Sequence, residues 1–365
     1  MTFSFEKESV RRMSQEYQKE NINAISISSA FNPLIRMGVL AGFLGTMLIG
    51  SYMALNGTLE VGSYSVLVFL TQRFLWPFTT LSTLIDDFER TMASTKRIFN
   101  MMNTYTKIKN PKILTHLDNL KADILFEKVE FRYDDQKPLF ENFNLSISAG
   151  SSIGIVGDTG SGKTTIAKLL LRLYNTDKGK ITIGDTPIDM IDIGFLRKKI
   201  GIVNQSPFLF NSTIRDNIGY GLSNPTIEQI EIAAQQSQAM EFIEKLPRGF
   251  DTIVGERGQM LSGGQQQRIA IARTVIRNPD IVIFDEATSS VDNKTEQLIQ
   301  KALFNIQKGR TSIIIAHRLS TIRNCDSIFL IKKGKIAEQG NHESLLSDRN
   351  SYYSLLWNIQ TGKKN

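Results

Sequence analysis

The chain has 365 residues, which as a prior allows two or three domains, and its 41% hydrophobic content is enough for a large core. Its 43 Lys and Arg against 36 Asp and Glu leave a formal charge of +7. That is mild for the length: it suits an anionic ligand or membrane surface and gives no ground to expect nucleic acid. The single cysteine, Cys325, excludes an internal disulfide and fits a reducing compartment.

No secretory leader is expected, because Glu6, Lys7, Glu8, Arg11 and Arg12 stand where its apolar stretch would lie. Residues 1–29 are polar, lack proline and glycine, and read as a solvated helix. Met37–Leu55 then carries no charge. As a helix it would be about 28 Å long, close to the hydrocarbon thickness of a bilayer. Gly38, Gly42, Gly45 and Gly50 would permit close helix contacts there. The other reading of such a stretch is a buried helix of a soluble protein. Asn56-Gly57 signals a turn. A second apolar stretch, 61–85, is interrupted by Gln72, Arg73 and Pro77. Arg73 has two readings: a charge facing a water-filled transport path, or a structural residue that pairs or snorkels. Two spans joined by a short turn place both ends on one side. Arg11, Arg12, Lys19, Arg36, Arg90, Lys96 and Arg97 flank that side, which positive-inside orientation assigns to the cytosol. Residues 103–122 are polar and form the expected linker. From Asp123, short β-rich runs alternate with helical ones, an α/β signature.

Gly157-Asp158-Thr159-Gly160-Ser161-Gly162-Lys163-Thr164 fits the phosphate-loop pattern G-x-x-x-x-G-K-[ST]. A buried-strand pattern, Ile153–Val156, precedes it, and a helical pattern continues from Thr165 to Leu173. Backbone N–H groups of such a loop meet phosphates. Lys163 would neutralise β/γ charge, and Thr164 would offer its hydroxyl to Mg²⁺. Ile281–Glu286 is an apolar strand ending in two carboxylates. Asp285 can hold Mg²⁺ and Glu286 can polarise an attacking water. Leu261-Ser262-Gly263-Gly264-Gln265 would place Ser262 and two glycine amides at a helix start, a second anion site.

In this order the segments resemble the ATP-binding cassette (ABC) proteins, Leu261–Gln265 with Gln266, Gln267 and Arg268 being similar to their signature motif. The resemblance implies ATP and Mg²⁺. It also implies that Tyr133 stacks on adenine, that Gln205 reaches Mg²⁺ from the Q-loop, and that His317 touches the γ-phosphate. Asp292 resembles the D-loop aspartate, with Val291 where Ala or Leu is usual. Lys163, Gln205, Glu286 and His317 are the implied catalytic set. Thr164, Gln205 and Asp285 are the implied metal set. Nucleotide contacts fall on Tyr133, Gly157–Thr165, Gln205, Asp285 and Ser262–Gln265. His116 and His342 read as structural.

Thr252–Gly258 resembles the loop before the signature in exporters, and the C-terminal Tyr-Tyr-Ser-Leu-Leu-Trp resembles the exporter tail. Phe3–Glu8 resembles the second coupling segment, which makes the two apolar stretches the fifth and sixth of six spans, with the first four absent. The implied fold is two α-helical spans of a type-I ABC exporter domain within 1–102. An α/β P-loop ATPase domain with an α-helical signature subdomain follows over 123–365. Implied partners are a second half-transporter chain in a homo- or heterodimer, membrane lipid and a chain supplying the missing spans; nucleic acid is not expected. The expected setting is an integral membrane protein with its ATPase in the cytoplasm, driving export of a lipid, drug or peptide-like substrate. Two other readings remain: a membrane-tethered ATPase that regulates a partner, and a soluble P-loop enzyme such as a nucleotide kinase.

Overall fold

The structure, a computed structural model, describes residues 2–106, 108–111, 114–134, 136–285, 293–316, 318–348 and 351–361. It divides into two compact units, Met1–Tyr105 and Thr106–Asn365.

The first unit is a pair of long helices, α1 (Thr2–Leu55) and α2 (Val61–Met102). The polar start and the first apolar stretch form one helix, where composition suggested two segments. α1 runs through Pro33 and α2 through Pro77, each proline costing its helix one backbone donor. Asn56 and Gly57 make the expected turn. Gly50 is where the helices come close: a Cβ there would meet the Tyr64 ring at 2.8 Å. The Tyr64 hydroxyl lies 2.8 Å from Ser51 Oγ. Gly38 and Gly45 face open space instead. Among the described residues, Arg36–Leu55 is the stretch long and apolar enough to cross a membrane. The second expected span, 61–85, is helical throughout, but Gln72, Arg73 and Pro77 keep it short of that measure. Arg73 is exposed on α2.

The second unit holds strands β1 (Ile124–Phe131), β2 (Phe140–Ile147), β3 (Ser152–Gly157), β4 (Lys178–Ile183), β5 (Thr186–Pro187), β6 (Ile200–Val203), β7 (Ile281–Asp285), β8 (Thr311–Ile315), β9 (Ser327–Lys332) and β10 (Lys335–Gly340). Helices α3 (Lys163–Leu170) and α4 (Ile193–Lys199) come first. Then follow α5 (Ile214–Gly219), α6 (Ile227–Gln236), α7 (Met240–Ile243) and α8 (Gly263–Val275). The last are α9 (Asn293–Gln307), α10 (His342–Ser347) and α11 (Tyr352–Thr361). Among the described residues the strands form an antiparallel sheet, β2-β1-β4-β5, and a larger sheet, β10-β9-β3-β8-β7-β6. In the larger sheet β9, β3, β8, β7 and β6 are parallel, and β10 closes the edge antiparallel.

The parallel strands are largely apolar in their middles because they face two cores. Ile281 and Ile283 of β7 enter the core between the two sheets, while Val282 and Phe284 enter the core beneath α9 and α11. Period-2 geometry sends successive side chains to opposite faces. A third core is built by α5–α8, with Ile214, Ile230, Phe242 and Ile269. Three of the helices there start on capping boxes, Thr213 with Asp216, Thr226 with Gln229 and Ser262 with Gln265.

The expected linker is fastened to the second unit over part of its length. Arg172 donates to the carbonyl of Lys109 at 3.2 Å. Asn110 Nδ2 donates to Asp192 at 2.7 Å, and the Thr115 N–H donates to the Met190 carbonyl. The segment's backbone supplies two of these hydrogen bonds and the Asn110 side chain the third. Cys325 is a free, buried thiol, pushed up to about 12 by burial and by Asp326.

Asp280 closes this end of the unit. It is 6% exposed, accepts from the Leu120 N–H at 3.0 Å and faces Lys199 Nζ at 3.4 Å. Asp280→Ala should cost roughly 2–3 kcal/mol, because a buried donor and a cation lose their acceptor together. Urea unfolding followed through Trp357 will read this as a lower midpoint, and an unchanged midpoint would rule the role out.

Candidate functional site

β3 ends at Gly157 and β7 at Asp285, with β8 between them in the sheet. Both C-terminal ends therefore open on the edge where α/β sheets bind ligands. Gly157 has φ +149, and a Cβ there would lie 2.0 Å from the Ile331 carbonyl oxygen. Gly162 has φ +107, and a Cβ there would lie 2.6 Å from the Phe140 ring. No other residue fits either place, and between them the loop folds tightly against the sheet.

α3 starts directly after Gly162 with no side-chain cap, so its first N–H groups stay open to an anion. Ser161 is buried and its hydroxyl has no hydrogen-bond partner among the described residues. A phosphate oxygen in the loop would supply one. Lys163 is 6% exposed, and its ammonium donates to the carbonyls of Gly157 at 2.8 Å and Asp158 at 2.9 Å. Thr164 Oγ1 donates to Asp285 Oδ1 at 3.3 Å, across 121 residues of chain. One hydroxyl and one carboxylate converging beside a phosphate cradle fit Mg²⁺, which takes few protein oxygens and fills its shell with phosphate and water. Among the described residues no His, Cys, Asp or Glu cluster forms a cage that would hold a metal without that help.

Tyr133 belongs to the same place. Its hydroxyl is 2.9 Å from Thr165 Oγ1. Its ring meets Phe131 and Tyr174 edge-on, at 4.8 and 5.1 Å between centroids. A cleft of about 520 Å³ is lined by Tyr133, Pro138, Leu139 and the loop from Thr159 to Thr165. One cavity thus has an aromatic end and a cationic, N–H-rich end, the chemistry that a base joined to a polyphosphate requires.

Other expected residues lie apart from this cleft. Gln205 is exposed after β6, and its neighbour Asn204 accepts from Gln267 of α8 at 3.2 Å. Ser262 and Gln265 cap each other: the Ser262 N–H donates to Gln265 Oε1 at 2.9 Å, and the Gln265 N–H donates to Ser262 Oγ at 3.4 Å. Ser262 and Gly263 face outward, and no residue of Ser262–Gln265 lines the cleft. Thr252–Gly258 is held between α5 and α8. The Ile214 N–H donates to the Thr252 carbonyl, the Val254 N–H to Ser212, and Gln266 Nε2 to Gly258.

Glu286, Val291, Asp292 and His317 lie outside the described residues. The chain beside them is held firmly: Arg318 pairs with Glu296 of α9, and the Leu319 N–H donates to Gln360 at 2.9 Å. His342 is 2.8 Å from the Tyr353 hydroxyl and packs on Trp357, as a structural histidine would. Burial lowers its pKa. Sequence reasoning missed Tyr352, whose hydroxyl donates to Asp158 at 3.1 Å across 194 residues. No local pattern signals a contact over that separation.

The sequence pattern of the family described as "ABC transporter" matches residues 140–289. The ATP-dependent lipid A-core flippase of Legionella pneumophila (strain Paris) is 38% identical over 346 residues, covering 94% of this chain and 58% of that protein. The alpha-hemolysin translocation ATP-binding protein HlyB of Escherichia coli is 43% identical over 286 residues, 78% of this chain and 40% of its own length. Among solved structures, a bacterial Atm1-family ABC exporter with ATP bound aligns with a TM-score of 0.86 at 34% identity, over 98% of this chain and 63% of that one. The chain therefore spans about three-fifths of the flippase relative and of the exporter structure.

Lys163→Ala should weaken binding of a fluorescent nucleoside triphosphate at least tenfold, since it removes a charge-assisted donor worth about 1.5–3 kcal/mol. Equal affinity in wild type and variant would count against the loop as a phosphate site.

Proposed function

The chain belongs to the ABC transporter family, and from that membership we propose that it binds and hydrolyses ATP to drive export of a lipid, drug or peptide-like substrate across a membrane. The observation that carries the proposal is the cleft joining Tyr133 to the phosphate loop, whose lining residue Thr164 donates to Asp285. Tyr133 stacks on adenine, a contact worth roughly 1–3 kcal/mol. Lys163 leaves its loop carbonyls for the β/γ-phosphates. Thr164, Asp285 and Gln205 hold Mg²⁺, which when bound offsets the charge on the phosphates. Glu286 orients the attacking water and His317 contacts the γ-phosphate, both on the strength of their sequence positions.

The outward-facing edge of Ser262–Gln265 supports a second chain as partner. Two such chains, identical or different, pair head to tail, each placing its Ser262 helix start over the other's phosphate loop. ATP favours the closed pair, and hydrolysis with product release reopens it.

Residues 1–102 supply a coupling segment and two spans, 37–55 and 61–85, followed by a connection over 103–122 and the ATPase over 123–365. Exposed apolar side chains on both helices, Leu40, Leu48, Phe69, Phe74 and Trp76 among them, suit lipid or further helices. Since two spans cannot enclose a path, a partner chain that supplies further spans belongs to the same proposal. The ATPase faces the cytoplasm. At and beside Thr252–Gly258, the side chains of Phe208, Phe210, Tyr220 and Ile253 are exposed, which suits an apolar partner surface.

Glu286→Gln should retain ATP binding while lowering turnover by about 10²-fold or more, as expected for loss of a residue acting on the nucleophile. Phosphate release at saturating ATP will measure it, and wild-type turnover would exclude the role.

A further inference from the structure

The tail motif around Tyr352 is left without a role by the proposed function, yet α11 reaches both loops that frame the nucleotide. At its start, the Tyr352 hydroxyl donates to Asp158 Oδ1 at 3.1 Å. Near its end, Gln360 Oε1 accepts from the Leu319 N–H at 2.9 Å, two residues past His317. A cavity of about 240 Å³, lined in part by Thr159, Ala316 and Leu356, lies between these attachments.

α11 is itself firmly moored. Glu338 of β10 accepts from the N–H groups of Tyr352 at 2.6 Å and Tyr353 at 3.1 Å, and from Ser351 Oγ at 2.7 Å. Lys332 Nζ sits 4.5 Å from the centroid of the Tyr352 ring. The phenol is protonated at neutral pH, as any tyrosine is, and the hydrogen bond to Asp158 holds its pKa above the usual tyrosine range.

We propose that Tyr352 is a positioning residue for nucleotide binding: fixed to β10 through Glu338, it holds Asp158, and with it the phosphate loop, in the shape that receives the triphosphate. The proposal rests on reading the Tyr133 cleft as the ATP site. The physical ground is preorganisation. A glycine-rich loop loses chain freedom when it closes on a ligand, and a loop already tethered loses less. Tyr352 touches no group assigned to the chemical step, so its loss falls on affinity and leaves the rate at saturation in place.

The test uses the whole 365-residue chain in detergent. Tyr352→Phe keeps the ring under Lys332 and deletes only the donor. The Kd for a fluorescent ATP analogue and the KM for ATP should each rise about threefold to tenfold, the net effect of one exposed hydrogen bond. kcat should stay within about twofold and Tm should not move. Asp158→Ala should raise KM similarly, and the double variant should be no worse than the poorer single one, because both remove the same bond. Wild-type KM in Tyr352→Phe, fully additive effects in the double variant, or a lower kcat at unchanged KM would overturn the proposal. Failure of the wild-type chain to bind the analogue at all would instead overturn the nucleotide reading and the proposal with it.

Discussion

Strand β3 has to satisfy two cores and one turn within six residues. Ile153 and Ile155 enter the core shared by the two sheets, and Val156 enters the core under α9 and α11. Gly154 is passed so closely by Ile322 that a Cβ would sit 2.7 Å from it. The strand must then stop at Gly157, where the Ile331 carbonyl of β9 leaves no room for a side chain. That closeness sets the phosphate loop at a fixed height over the sheet edge, and the order of the sheet puts Asp285 within reach of Thr164. The site is a by-product of how densely the parallel strands pack.

Residues whose meaning is local were legible in the sequence. The loop is read from glycines and one lysine at fixed spacing, and the structure shows why those glycines admit no substitute. The strand ending in Asp285 is read from four apolar residues in a row, Ile281 to Phe284, because burial on both faces removes any alternation. The Ser262 helix start is read from a serine followed by two glycines, and the structure adds the capping box with Gln265. Contacts joining distant residues were hidden: Leu120 to Asp280, Leu319 to Gln360, Tyr352 to Asp158. Composition alone does not show continuity: the polar stretch before Ser29 and the apolar one from Met37 lie on one helix, because helical hydrogen bonding is indifferent to side-chain polarity. Nor does the polarity of 103–122 show that Asn110 and the Lys109 carbonyl are partners for Asp192 and Arg172.

The way Ser262 is used bears on how two chains would meet. Its hydroxyl and the Gln265 amide are occupied in holding the first turn of α8. What they leave facing outward is a helix N-terminus with Gly263 bare beside it. A surface of this kind attracts phosphate through aligned backbone dipoles and needs no charged side chain. A single chain thus offers a lysine-centred grip in one place and a neutral, dipolar cover in another. In the proposed pair, nucleotide would be enclosed without setting cation against cation.

Cys325 carries a practical consequence. It is the only thiol in the chain. Buried, and with its pKa near 12, it presents almost no thiolate to alkylating or oxidising reagents at neutral pH. Burial and a raised pKa both disfavour its reaction with maleimides. A cysteine introduced on an exposed surface, such as the outward edge of α8, would therefore be the sole address for a spin label, a fluorophore or a cross-linker, with no native residue to remove first.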